Sequence, residues 1–213
     1  MKTTRFRILI TTLIVILLMV PSTALAWSTY PLVPPESEVA DALDYLEGQQ
    51  KADGSITDFS QSPWIVMAIA ASNDDANKWI NGGTSVMDYL AANASSASTA
   101  NDYSKMILAA VAGFEDPTNF GGRNFVILLE GTVSGTQIGS HTAINDDAWG
   151  IMALIAADKA QFDPIIVNSC NFIKHHQNPD GGWGWSTSAE SDADSTAAPI
   201  MALIAAGENP AGA

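Results

Sequence analysis

Ile151-Met152-Ala153-Leu154-Ile155-Ala156-Ala157 recurs without a change as Ile200 to Ala206, 49 residues further on. Two looser copies lie upstream, Ile65-Val66-Met67-Ala68-Ile69-Ala70-Ala71 and Met106-Ile107-Leu108-Ala109-Ala110-Val111-Ala112. The last alanines fall at 71, 112, 157 and 206, so the period runs 41, 45 and 49 residues. Each copy is apolar on all sides and rich in alanine, the pattern of a helix that is buried all round and closely packed. A more amphipathic stretch precedes each one: Val39 to Gln49, Ser85 to Ala92, Phe125 to Glu130 and Pro164 to His176. In the first of these, Val39, Leu43 and Leu46 share a face that Glu38, Asp41, Asp44 and Glu47 avoid. The reading is four inner helices, each following an outer one.

Boundary chemistry agrees. Ser62-Pro63 and Asp163-Pro164 place a capping side chain before a proline at the first helical position, and Gly113 and Gly207 follow two inner helices. Pro199 either moves its helix start to about Ala198 or removes one early backbone bond. Strand patterning is nearly absent, and Val133 to Ile138 is interrupted by glycine. The expected class is all-α. A hairpin of this length cannot bury its inner face alone, so the units stack, as an open solenoid or as a closed ring.

Composition limits the functions. The 213 residues are 47% apolar and 15% charged, ordinary values for a globular domain. Nine Lys and Arg face 23 Asp and Glu, a net charge of −14. Three of the bases, Lys2, Arg5 and Arg7, precede an uncharged run from Ile8 to Val20, and small residues at Ala24 and Ala26 follow. This is the layout of a secretory signal peptide with cleavage after Ala26, and the run is too short for a spanning helix. The chain is therefore expected outside the cell, secreted or at its surface, with no membrane span after cleavage. Without that segment six bases face 23 acids, a net −17 that repels nucleic acid and anionic lipid. Residues 27–36 read as a linker and 37–213 as the repeat domain. The single Cys170 cannot form an internal disulfide and reads as a small buried residue. Asn93-Ala94-Ser95 fits a glycosylation acceptor, a weak signal.

Phe172-Ile173-Lys174-His175-His176-Gln177-Asn178-Pro179-Asp180-Gly181-Gly182-Trp183 resembles the QW motif of squalene and oxidosqualene cyclases. Tyr45 to Ile56 repeats its frame, with Gln50 and Gly54 in place and Ile56 where the tryptophan belongs. The chain is thus similar, over roughly residues 37 to 210, to the terpenoid cyclase and protein prenyltransferase α/α-toroid superfamily. Its exported prokaryotic members, related to the cobalamin-binding domain of intrinsic factor, are the most similar. The resemblance implies an α/α toroid with about four of six hairpins, either an amino-terminal piece of a longer chain, with that chain's other domains as partners, or an open arc. It also implies structural roles for Gln50, Gln177, Gly181 and Trp183, the glutamine capping a neighbouring helix and the tryptophan stacking on it.

The inner helices run the same way, so their leading ends gather Ser60, Gln61, Asn101, Asp102, Asn145, Asp146, Asp147, Asp192, Asp194 and Ser195. Capping explains these residue types. Carboxylates converging on a cavity mouth would instead raise a pKa into the range of a general acid. By resemblance to the DxDD element of class II terpene cyclases, Asp146 or Asp194 would be the proton donor. Ile144-Asn145-Asp146-Asp147 and Asp192-Ala193-Asp194-Ser195 each lack part of that element. Asp147, Asp192, Trp149 and Trp185 are the candidate ligand contacts, for a small hydrophobic or ring-shaped ligand. The zinc site of prenyltransferases has no counterpart in Cys170, His175 and His176, and no metal is expected. The leading expectation is a non-catalytic binding or surface-interaction module. The alternatives are a cyclase-like enzyme and, by resemblance alone, binding of a cobalamin-type cofactor.

Overall fold

The computed structural model describes residues 37–209, all within one compact unit. The expected signal peptide, its cleavage site and the linker lie outside the described residues. Among those described, eight α-helices form: α1 (Ser37–Gly48), α2 (Ser62–Ala71), α3 (Val86–Ala92), α4 (Ala100–Ala112), α5 (Phe125–Glu130), α6 (Ile144–Ala156), α7 (Pro164–His175) and α8 (Ala193–Ala205). A two-strand antiparallel hairpin, β1 (Ile80–Asn81) and β2 (Thr84–Ser85), is the only paired sheet among them. The class is all-α.

The alanine-rich helices are neighbours in chain order: α2 packs on α4, α4 on α6, and α6 on α8. Their small side chains allow the axes to approach toward the near end of the ~8–10 Å range for packed helices. Met106, Ile107, Ala109 and Ala110 of α4 are buried, as are Ile151, Ala153 and Leu154 of α6. Each such aliphatic side chain taken from water contributes on the order of 1.5–3 kcal/mol. Three of the amphipathic helices each pack chiefly on the inner helix before them: α3 on α2, α5 on α4, α7 on α6. On α1, Leu43 and Leu46 turn to the core while Asp41, Asp44 and Glu47 stay exposed.

Several expected boundaries are corrected. Ser62 does not cap α2: it is the first helical residue, and its hydroxyl donates to the carbonyls of Ile56 and Asp58. The turn into α2 is organised by Asp58, whose Oδ1 accepts from the Ser60 and Gln61 amides and the Ser60 hydroxyl. Asp163 does cap α7, accepting from Ile165 N–H at 2.9 Å. Gly113 ends α4 with φ −86°, and Phe114 takes the left-handed turn instead, at φ 61°. Helix α8 starts at Ala193, not near Ala198, and carries Pro199 inside it. The Ser195 carbonyl therefore loses its ladder donor. The inner helices also begin earlier than their apolar cores, so Asn101, Asp102, Asn145, Asp146, Asp147 and Asp194 lie within first turns. The unexpected hairpin turns on Gly82 and Gly83, with φ of 63° and 87°, as a two-residue primed turn requires.

Among the described residues no helix is long and apolar enough to cross a membrane.

Candidate functional site

The leading ends of the inner helices are tied side by side. Lys105 of α4 pairs with Asp102 at 3.3 Å and reaches the Ser60 carbonyl ahead of α2. Gly139 sits between Ala100 of α4 and Asp146 of α6, and a Cβ there would lie 2.8 Å from Ala100 Cβ. Thr187, in the loop entering α8, donates its amide to the Thr142 carbonyl ahead of α6 at 2.9 Å.

The acids at this end divide by role. Thr99 and Asp102 form a reciprocal capping box on α4. Asp192 caps α8 by accepting from Ser195 N–H at 2.8 Å, and that amide holds its carboxyl below the usual range. Asp194 is exposed. Asp146 and Asp147 do not cap α6, whose cap position is Ala143 with no side-chain bond. They turn to the preceding loop instead. Asp146 Oδ2 accepts from Ser140 N–H, and Asp147 Oδ1 from Ile138 N–H, both at 3.0 Å.

Asp147 is 0% exposed. Burial pushes its carboxyl up to about 7; the Ile138 amide opposes the rise, and neighbouring Asp146 adds to it. Burial also raises Asp146, against the Ser140 amide. Neither Asp147 Oδ2 nor Ser169 Oγ completes a hydrogen bond. An uncharged carboxyl carries a proton on one oxygen and so suits an apolar surround better than a carboxylate. Of these two acids the buried one, with the stronger shift, is Asp147, whereas the sequence points to Asp146 or Asp194 as donors. Ser169 carries no signal in the sequence that would single it out.

The aromatic candidates separate. Trp149 of α6 meets Trp64 of α2 edge to face, with ring centroids 4.6 Å apart and planes at 73°. The helices that carry them, α2 and α6, each pack on α4. Trp64 is 38% exposed and Trp149 half-buried. Trp185 stands 61% exposed on its loop, apart from that pair in sequence and element.

In both QW-like segments the glutamine amide donates to the glycine carbonyl four residues on, Gln50 to Gly54 and Gln177 to Gly181. Gln50 is buried and also donates to the Trp79 carbonyl at 2.7 Å. Gln177 is exposed. Trp79 closes the 3-10 turn Ala76–Lys78, so Gln50 meets the end of a neighbouring helical turn, whereas the bond given for Gln177 stays within its own segment. The carbonyl at the end of α7 is met by Trp183, whose indole N–H donates to Ile173 O at 2.8 Å. Ile56 is fully buried at the matching place in the first copy.

Cys170 is buried, and burial foremost pushes its thiol up to about 11, so it is a poor nucleophile at neutral pH. His176 closes α7, its Nδ1 within 2.9 Å of the Phe172 carbonyl and its ring 4.3 Å from the Phe172 ring. Among the described residues no group of three or more His, Cys, Asp or Glu side chains is placed to hold a metal ion. Asn93 lies partly buried at the end of α3, and its side-chain amide donates to the Tyr89 carbonyl. That nitrogen is the one glycosylation would use.

Comparison of the chain with protein-family models, with curated proteins and with solved structures finds no match.

Proposed function

We propose that this chain is an exported, non-catalytic repeat module of the α/α-toroid type that works by ligand binding or surface contact. The observation that carries this reading is the use of the paired acids of α6. Asp146 and Asp147 each accept a backbone amide of the loop Ile138–Ser140, and Asp147 has no exposure to offer a proton to a substrate. A general acid must come within hydrogen-bond reach of the atom it protonates. Ordered adjacency of α2, α4, α6 and α8, with amphipathic helices packed on the first three, supports an arc of toroid-like hairpins. The apolar run of residues 8–20 supports export.

The ligand class is small and hydrophobic or ring-shaped, and Trp64 and Trp149 are its contact surface, since the part of this edge-to-face pair left in solvent offers aromatic surface to flat or polyene groups. Titration with farnesyl diphosphate, squalene in detergent and cobalamin, read by tryptophan fluorescence and melting temperature, tests it. Saturable quenching by one of them, weakened at least tenfold by Trp64→Ala or Trp149→Ala, is expected. No response to any of the three at high micromolar concentration overturns the ligand assignment.

One observation favours a cyclase-like enzyme instead: the Asp147 carboxyl, pushed up to about 7, is in the range of a general acid at neutral pH. Under that reading Asp147→Asn abolishes product formation from squalene, and Asp194→Asn leaves it intact.

A further inference from the structure

We infer that Asn81 is a site of self-modification: its side-chain amide is lost to attack by the Gly82 backbone nitrogen, and the product frees the β1–β2 hairpin from the first QW-like segment. Asn81 is the one asparagine of the chain that glycine follows. After every other asparagine the next residue carries a Cβ, which crowds the approach of its backbone nitrogen to the asparagine Cγ; glycine has none. The fold leaves this pair open to reaction. Asn81, Gly82 and Gly83 lie at the exposed tip of the hairpin, where water and hydroxide have access. Among the described residues the Gly82 amide has no acceptor, so no native hydrogen bond must break before it gives up its proton.

The chemistry is hydrolytic and needs only water. Hydroxide takes the Gly82 N–H proton, and the nitrogen lone pair forms a bond to Asn81 Cγ. The Cγ–Nδ2 bond then breaks, and Nδ2 leaves as ammonia with a proton from water. What remains is a five-membered imide that joins Asn81 Cγ and the Asn81 backbone carbonyl carbon through the Gly82 nitrogen. Water opens it on either side of that nitrogen. Breaking the bond to Cγ gives aspartate, and breaking the bond to the backbone carbonyl gives isoaspartate, whose main chain runs through the side chain and is one atom longer. Nothing is oxidised or reduced.

Asn81 is also where the hairpin is fastened. Its side-chain amide donates to the Gln50 carbonyl at 2.6 Å, and Gln50 returns a side-chain bond to the Trp79 carbonyl at 2.7 Å. Gly82 lies against Ala52, whose carbonyl oxygen a Cβ there would meet at 2.5 Å. In either product a carboxylate, which only accepts, replaces the donor and faces the Gln50 carbonyl. Isoaspartate in addition disturbs the short register Ile80↔Ser85 and Asn81↔Thr84. Ser85, at the end of β2, caps α3 in a reciprocal box with Asp88, so a loosened hairpin reaches that helix. The site is separate from Trp64 and Trp149 and stands whether or not a ligand binds there.

Ageing the purified, folded chain for weeks at pH values from about 6 to 9, followed by peptide mapping, tests the inference. Trypsin releases residues 79–105 as one peptide, in which Asn93 and Asn101 serve as internal controls. Expected is the mass gain of NH2 replaced by OH at residue 81, at least tenfold above that at residue 93 or 101, rising with pH, with both aspartate and isoaspartate recovered. Asn81→Gln, whose imide ring would be one atom larger, removes the gain at this position. The aged fraction, separated by its added charge, is expected to melt a few degrees below fresh chain, and Asn81→Asp reproduces a drop without ageing. No gain at residue 81, or an equal gain at all three asparagines, overturns the inference. So does a gain at residue 81 that leaves the melting temperature of the aged fraction unchanged, because the hairpin is then not held by this amide.

Discussion

Asp147 Oδ1 accepts the Ile138 amide at 3.0 Å, nine residues back along the chain, while its second oxygen lies buried beside a Ser169 hydroxyl that it does not engage. One carboxyl thus fastens a loop to α6, and burial outweighs the amide bond in favouring its uncharged form.

Stability should depend on that proton. The carboxyl is pushed up to about 7 in the folded chain from an ordinary 3.8. Between these values the folded state binds more protons than the unfolded one, so stability falls as pH rises through the window and levels off above it. The drop is on the order of a few kcal/mol. Asp88, Asp116 and Asp192 are shifted the other way, and their contribution is lost only below about pH 4. Urea titrations from pH 5 to 8 should show the decline, and Asp147→Asn should flatten it. An unchanged slope in the variant contradicts the assignment.

Gly139 and Gly135 make a controlled pair. Both are left-handed, at φ 71° and 65°, but a Cβ at Gly139 would fall 2.4 Å from Asp146 Oδ2 while Gly135 has open space. Gly135→Ala should cost about 1–2 kcal/mol for the backbone alone. Gly139→Ala should cost about 1–3 kcal/mol more, because Asp146 and Ala100 must both move. Equal melting temperatures for the two variants contradict the packing of this loop between α4 and α6.

Trp183→Phe keeps an aromatic ring but deletes the N–H that meets the buried Ile173 carbonyl. A loss of about 0.5–1.5 kcal/mol is expected from denaturant titration, the worth of one hydrogen bond, since the His176 amide still donates to that carbonyl. Trp185→Phe, on the exposed side of the same loop, should change stability by less than about 0.5 kcal/mol.

The helical frame was legible where the pattern was apolar. Alanine-rich heptapeptides located the trailing halves of α2, α4, α6 and α8, and Phe125–Glu130 matched α5 to the residue. The leading halves were not legible, because Asn101, Asp102, Asn145, Asp146 and Asp147 are residue types that favour caps and loops. Inside α6 two of them are held by loop amides nine and six residues away, and no local propensity encodes that. Position 62 reads as a cap in sequence, but Asp58, four residues earlier, does the work through a turn that depends on how the chain approaches α2. The Gly82-Gly83 signal for a hairpin was present, yet strands of two residues leave no alternation to detect. The candidate site was legible as a set of leading ends and not as a division of labour, since burial separates Asp147 from Asp194 and the fold pairs Trp64 with Trp149.

The most direct measurement is product analysis after prolonged incubation of the purified chain with squalene, oxidosqualene and farnesyl diphosphate. A binding module whose paired acids fasten its own loop should return all three unchanged, while Asp147→Asn alters only the pH dependence of unfolding. A cyclised product that disappears in Asp147→Asn contradicts it.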